Sequence, residues 1–270
     1  MRGPGTCCRS TASSIVGAPA SAITPATGSG SGTSVAVLSV IVPAIEVDLE
    51  LRRCLDSIRL ALPDPEQCEI VLVLPERCVA AATQAFADVR VLSESRPSVY
   101  AAMNDGVAAS TGRYLYFLGK DDILLQSARE VMRLLISDAP SVVFADVYWG
   151  LDGVRSTRSS RFGILLRNVC HQGIVYSREA VVRHGPYVRR FRARADQLLN
   201  IRVLWDPALR ARARYVSLPL AWYAATGLSS TFPDRCFYRI QPAIIRRYLG
   251  PVAAGAWRAY KWLRPEKGMR

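Results

Sequence analysis

The sequence predicts an α/β protein with a mostly parallel central sheet and helices on both of its faces. Three observations lead there. From Val35 onward, short apolar runs alternate with segments carrying a helical stripe, the signature of parallel strands joined by crossover helices. The runs are apolar almost throughout, as in strands covered on both sides. A chain of 270 residues with 50% hydrophobic content also builds one large core without disulfides or a structural metal.

The elements follow in order. Residues 1–34 include "GAPASAITPATGSGSGTS", which offers nothing to pack and reads as a disordered low-complexity tail. Arg2 and Arg9 precede no apolar run of the length a secretory signal needs; an over-long start of translation explains the segment equally well. "VAVLSVIVP" is a buried strand, and Leu49, Leu51, Cys54, Leu55 and Ile58 stripe the helix after it. "EIVLVL" from Glu69 is the second strand, followed by an alanine-rich helix after Cys78, and "VRVL" from Val89 is the third. Val99 to Ala109 is helical, Tyr114 to Leu118 is a strand, and Leu124 to Ile136 is its helix. "SVVFADVYW" is a further strand, with the Asp-Gly of "LDGV" as a hairpin turn. The chain divides into the tail, a globular α/β domain over 35–230 and a basic amphipathic helical tail over 231–270. Gly250-Pro251 breaks that tail into two short helices that suit a membrane surface or a lid on the core.

Composition narrows the function classes. Seven cysteines without a Cys-x-x-Cys pair, and only His171 and His184 as histidines, argue for a reducing, cytoplasmic setting and against a zinc site built on those residues. The apolar run Val35 to Val42 is far shorter than the roughly 18 residues that span a bilayer. A net charge of +13, with only three lysines among 35 basic residues, suits phosphorylated substrates or an anionic membrane face. No nucleic-acid recognition motif accompanies the charge.

In a wound sheet, ligands sit beyond the carboxyl ends of the strands. "RYLYFLGKDDILL" delivers Asp121 and Asp122 to that rim. Asp122 taken alone also reads as a helix N-cap.

"LSVIVPAIEVDLELRRCLDSI", "EIVLVL", "SVYAAMNDGVAASTGRYLYFLGKDDIL", "VCHQGIVYSREAV" and "ARADQLLNIRV" follow one another in the order of the bacterial family 2 glycosyltransferases. The chain resembles members of that family that build exopolysaccharide, capsule or glycolipid sugars, over roughly Ser34 to Ser230. The resemblance implies the A-type glycosyltransferase fold, a nucleotide-sugar donor, Mg²⁺ or Mn²⁺, and displacement with inversion at the anomeric carbon. It places the cation on Asp121, with Asp122 supporting. It places the donor along Pro43, Ala44, Glu46, Glu94, Tyr100 and Asn104, and the acceptor near His171 and Gln172, to which the basic run before Asp196 adds Arg192 and Arg194. Asp196 becomes the general base that an inverting transfer needs, or otherwise a helix cap or an ion-pair partner of its arginine neighbours.

The departures from the pattern are also legible. The Asp-x-Asp motif reads Gly119-Lys120-Asp121, "LPERC" stands where a base-reading aspartate is usual, and "AIE" after Pro43 replaces an aromatic-Asn pair. Lys120 either points to solvent or touches donor phosphate and weakens the dependence on metal. Arg189, Arg190, Arg192 and Arg194 form either a solvated basic loop or a seat for the phosphate of a lipid-linked acceptor. The expected enzyme works in the cytoplasm at the inner face of the plasma membrane. The rival reading is a scaffold protein on the same fold that has lost turnover.

Overall fold

The computed structural model describes residues 35–225 and 234–263; the expected tail over 1–34 lies outside them. Strands β1 (Leu38–Pro43), β2 (Cys68–Leu74), β3 (Arg90–Ser93) and β4 (Tyr114–Phe117) alternate with helices α1 (Leu49–Ala61), α2 (Glu76–Ala85) and α3 (Val99–Ala109). The four strands are parallel in the order β3-β2-β1-β4. Then come β5 (Ile123–Leu124), α4 (Ala128–Ser137), β6 (Val142–Trp149), β7 (Val154–Arg155), α5 (Gly163–Leu166), a 3₁₀ turn (His171–Gly173), β8 (Ile174–Ser177), α6 (Arg178–His184), α7 (Ala195–Trp205), α8 (Pro207–Ala211), β9 (Ala213–Tyr223) and α9 (Arg235–Leu263).

The sheet continues from β4 through β8, β6 and β9 to β5. β8 enters antiparallel to both β4 and β6, while β6 and β9 run parallel. The period-2 alternation of β1 sends Leu38, Val40 and Val42 into one buried cluster and Ile41 into the other, so each face of the sheet has its own core. The Asp-Gly hairpin forms as β6–β7, with Gly150 and Gly153 at positive φ.

Two elements differ from expectation. Ile123 and Leu124 are not helical; they pair with Trp222 and Ala221 of β9, and α4 begins only at Ala128. β9 went unread because Pro219 interrupts its pattern. In the structure Pro219 sits at the irregularity where the β6–β9 register shifts, a place where a missing N–H is tolerated. The C-terminal helix does break at Gly250, whose φ of 87° and ψ of 174° are open to glycine alone. Its first half buries Phe237, Ile240, Ile244 and Ile245 in the core, whereas Ala254 is the one buried residue described after the break.

Candidate functional site

β4 ends at the carboxyl edge of the sheet, and the chain turns sharply there. Asp122 N–H donates to the Gly119 carbonyl at 3.0 Å, and Gly119 N–H donates to Asp122 Oδ2 at 3.2 Å. A Cβ on residue 119 would stand 2.6 Å from Asp122 Oδ2 and 2.8 Å from Asp121 Oδ1. The first position of the acidic motif is therefore glycine because the two following carboxylates fold back over it.

Those carboxylates have different surroundings. Asp121 lines a cavity of about 870 Å³ at this edge. Asp122 is buried below it and does not cap α4. It also accepts from Ala224 N–H at 2.9 Å and from Gln172 Nε2 at 2.7 Å, joining β4 to the end of β9 and to the 3₁₀ turn. Burial pushes its pKa up to about 7, against the pull of the donors and with the charge of Asp121 adding to the rise.

Lys120 does not point to solvent. Its ammonium is held by Asp48 and by Glu50 at 3.0 Å, with Glu46 at 3.6 Å. Burial works against its charge, but the hydrogen bonds to Asp48 and Glu50 outweigh that and hold its pKa above the ordinary lysine value. Asp48 also caps α1 by accepting from Leu51 N–H at 2.9 Å. The lysine therefore ties the loop after β1 to the acidic turn while it lines the cavity.

Asp196 lies across the same cavity, in the first turn of α7. It is not the N-cap, a position Arg194 fills. Its partners are neutral: the Tyr100 hydroxyl donates to Oδ1 at 3.0 Å and Asn168 Nδ2 to Oδ2 at 2.6 Å. The arginines expected to crowd it divide. Arg194 reaches the Tyr238 hydroxyl at 2.9 Å, and Arg189 and Arg190 are exposed and off the cavity wall. Arg192 and Arg194 do line the cavity.

The remaining expected residues divide. Pro43, Ala44, Glu94, Tyr100, His171 and Gln172 line the cavity; Glu46 does not and is exposed beside Lys120. Asn104 is absent from the wall as well. Both ends of its amide are spent on Tyr187, donating to its carbonyl and accepting from its N–H at 2.9 Å each, which sets Tyr187 against Tyr100 with ring centroids 5.4 Å apart. Gln172 is taken up by Asp122 and by the Cys170 thiol at 3.2 Å. His171 stacks on Phe117 at 5.6 Å. Both of its ring nitrogens are sealed from water without a partner among the described residues, and burial lowers its pKa although the charge of Asp196 opposes this.

Sequence reasoning missed Asn168, Trp149 and Tyr223 on the wall. The last two meet edge to face with centroids 4.6 Å apart. Nothing in their local sequence marks them; they arrive through β6 and β9, whose pairing is a long-range property.

Among the described residues no group of three or more His, Cys, Asp or Glu side chains is arranged to hold a metal ion. One cavity-facing carboxylate, Asp121, is nevertheless the protein contribution a hard cation takes when substrate phosphates and water fill the rest of its shell. The residues fit Mg²⁺ or Mn²⁺ held in that shared way and do not fit a cage made by protein alone.

The family model for glycosyl transferase family 2 matches residues 39–200. Proteins from Mycobacterium bovis and Mycobacterium tuberculosis, both named PGL/p-HBAD biosynthesis glycosyltransferase, are 34% identical over 226 residues, covering 78% of this chain and 86% of theirs. The fold is similar to that of Staphylococcus aureus TarS in complex with UDP-GlcNAc, with a TM-score of 0.61, 14% identity, and coverage of 80% of this chain and 69% of that one. It is also similar to the Mycobacterium tuberculosis glucosyl-3-phosphoglycerate synthase in complex with Mn²⁺, UDP and phosphoglyceric acid, with a TM-score of 0.56, 16% identity and 79% coverage of each chain.

Proposed function

Because the chain belongs to glycosyl transferase family 2 and is a glycosyltransferase, we propose that it moves a sugar from a nucleotide-sugar donor, with inversion, onto a glycolipid or cell-surface polysaccharide acceptor. One observation carries the reading. Asp121 and the doubly hydrogen-bonded Asp196 line one cavity, so a leaving diphosphate and an attacking hydroxyl have separate carboxylates to meet.

In the proposed reaction the acceptor hydroxyl oxygen attacks the anomeric carbon from the face opposite the leaving group. A new carbon–oxygen bond forms as the bond to the nucleoside diphosphate breaks, and the diphosphate departs with the electron pair. The hydroxyl proton passes to Asp196. Tyr100 and Asn168 each use one lone pair of that carboxylate, which fixes its orientation and leaves lone pairs for the incoming proton. Asp121 would hold the cation, which when bound supplies positive charge to the departing phosphate oxygens. His171 and the arginines Arg192 and Arg194 line the acceptor side of the cavity.

The relatives named for PGL/p-HBAD biosynthesis support a glycolipid acceptor of the kind their name gives. The Mn²⁺-containing and UDP-sugar-containing neighbours support the cation and the donor class. No helix among the described residues is long and apolar enough to cross a membrane. The exposed Val252, Trp262 and Leu263 of α9, together with Arg258 and Lys261, support peripheral contact with the bilayer from the cytoplasmic side. Turnover of UDP-, GDP- and dTDP-sugars with added Mn²⁺ tests the proposal. One donor is consumed with inverted product, and chelation stops the reaction because Lys120 is committed to Asp48 and Glu50; no consumption of any donor refutes it.

A further inference from the structure

A second cavity, of about 420 Å³, lies between the start of β9 and the C-terminal end of α7, and none of its lining residues is shared with the catalytic cavity. Four arginines enter its wall, Arg158, Arg161, Arg210 and Arg214, beside Ser159 and Ser160, and no carboxylate does. The guanidinium groups are steadied chiefly by neutral partners. Arg158 sits 5.4 Å from the centre of the Tyr215 ring, and Arg161 sits 4.8 Å from Phe162 and 5.1 Å from Trp205. Arg210 donates to the Leu204 carbonyl at 3.1 Å and Arg214 to that of Ala213 at 3.2 Å.

Two carboxylates stand nearby. Asp138 is 3.5 Å from Arg214 Nε, and Asp146 accepts from the Tyr215 hydroxyl at 2.8 Å and from Ser217 at 3.2 Å. Among the described residues, Arg214 is the one pocket arginine in an ion pair.

Each guanidinium carries five N–H donors, so these contacts leave most of them unspent. Four like charges around one pocket repel unless an anion enters, and the arginine fork matches phosphate oxygens in geometry and charge. We propose that this pocket is a second, non-catalytic site for the phosphate group of a ligand, either an anionic phospholipid headgroup or a free phosphate compound. Phe162, which lines the pocket and is 48% exposed, gives its wall the apolar character that a headgroup source uses.

The test uses the full chain and two probes. Inorganic phosphate is titrated while the Trp205 indole N–H is followed by NMR; that group donates to the Arg161 carbonyl at 2.8 Å and so reports on the pocket wall. Vesicles of phosphatidylcholine with and without phosphatidylglycerol are tested by co-sedimentation. The paired substitution Arg158→Gln/Arg161→Gln is expected to abolish the phosphate-induced shift or weaken vesicle binding by about tenfold or more. Arg90→Gln/Arg133→Gln, which removes the same charge from exposed positions elsewhere, is expected to preserve both. A phosphate shift lost in Arg158→Gln/Arg161→Gln with vesicle binding unchanged assigns a free ligand, and phosphatidylglycerol-dependent binding weakened by that pair but not by Arg90→Gln/Arg133→Gln assigns the headgroup. Absence of both responses, or equal losses in the two variants, overturns the proposal.

Discussion

Asp121 and Asp122 are neighbours in sequence, yet one faces the cavity and the other is buried beneath it, because the turn at Gly119 leaves room for carboxylate oxygens and for nothing else. Restoring the usual acidic motif by Gly119→Asp is therefore expected to lower kcat rather than raise metal affinity, since Asp122 cannot retreat without abandoning Gly119, Gln172 and Ala224. Steady-state kinetics across a Mn²⁺ titration checks this. His171 supplies a pH prediction. Its folded pKa lies below the unfolded value of about 6.5, so its contribution to stability is present above that pH and is lost as pH falls through the folded value. Imidazole ¹⁵N shifts are expected to show His171 protonating at a lower pH than a free imidazole, and His171→Phe to flatten the fall in Tm on acidification. Asn104 marks the limit of residue-level reading. Its place in the motif suggested the donor, whereas its amide braces the Tyr187 backbone, a partner 83 positions away that no local pattern points to.

The strands and helices of the first half were legible because each carries its own period: β1 and β2 are apolar on both faces, and α3 spans the residues expected of it. β9 was not, since its pattern is interrupted at Pro219 and only its pairing with β6 and β5 completes the edge. The C-terminal helix shows both situations in one element. Its break was readable from Gly250-Pro251, but that its first half joins the core required the fold. Two substitutions separate the halves. Ile244→Ala, at a fully buried position, is expected to cost about 2–5 kcal/mol in denaturant unfolding. Gly250→Ala is expected to cost about 1–3 kcal/mol by forcing an alanine into a glycine-only backbone conformation. Truncation after Leu249 is expected to leave the unfolding midpoint nearly unchanged and to weaken vesicle binding.

At the scale of the molecule, the sheet gathers distant segments at one edge: Asp121 follows β4, Asn168 precedes β8, Asp196 opens α7, and the wall closes with Tyr223 of β9. The sequence displayed Asp121 and Asp196, which line the cavity, but not the neutral residues that hydrogen-bond Asp196 or the acid triad around Lys120, because those are partnerships across the fold. The charge of +13 is likewise not spread evenly, with four arginines converging on a pocket separate from the cleft. The central claim is that Asp196 accepts the acceptor's proton. Single-turnover transfer by Asp196→Asn, at saturating nucleotide sugar, tests it most directly. The rate is expected to fall by about 10²–10⁴-fold with donor affinity intact, whereas turnover at the unsubstituted rate would contradict the account.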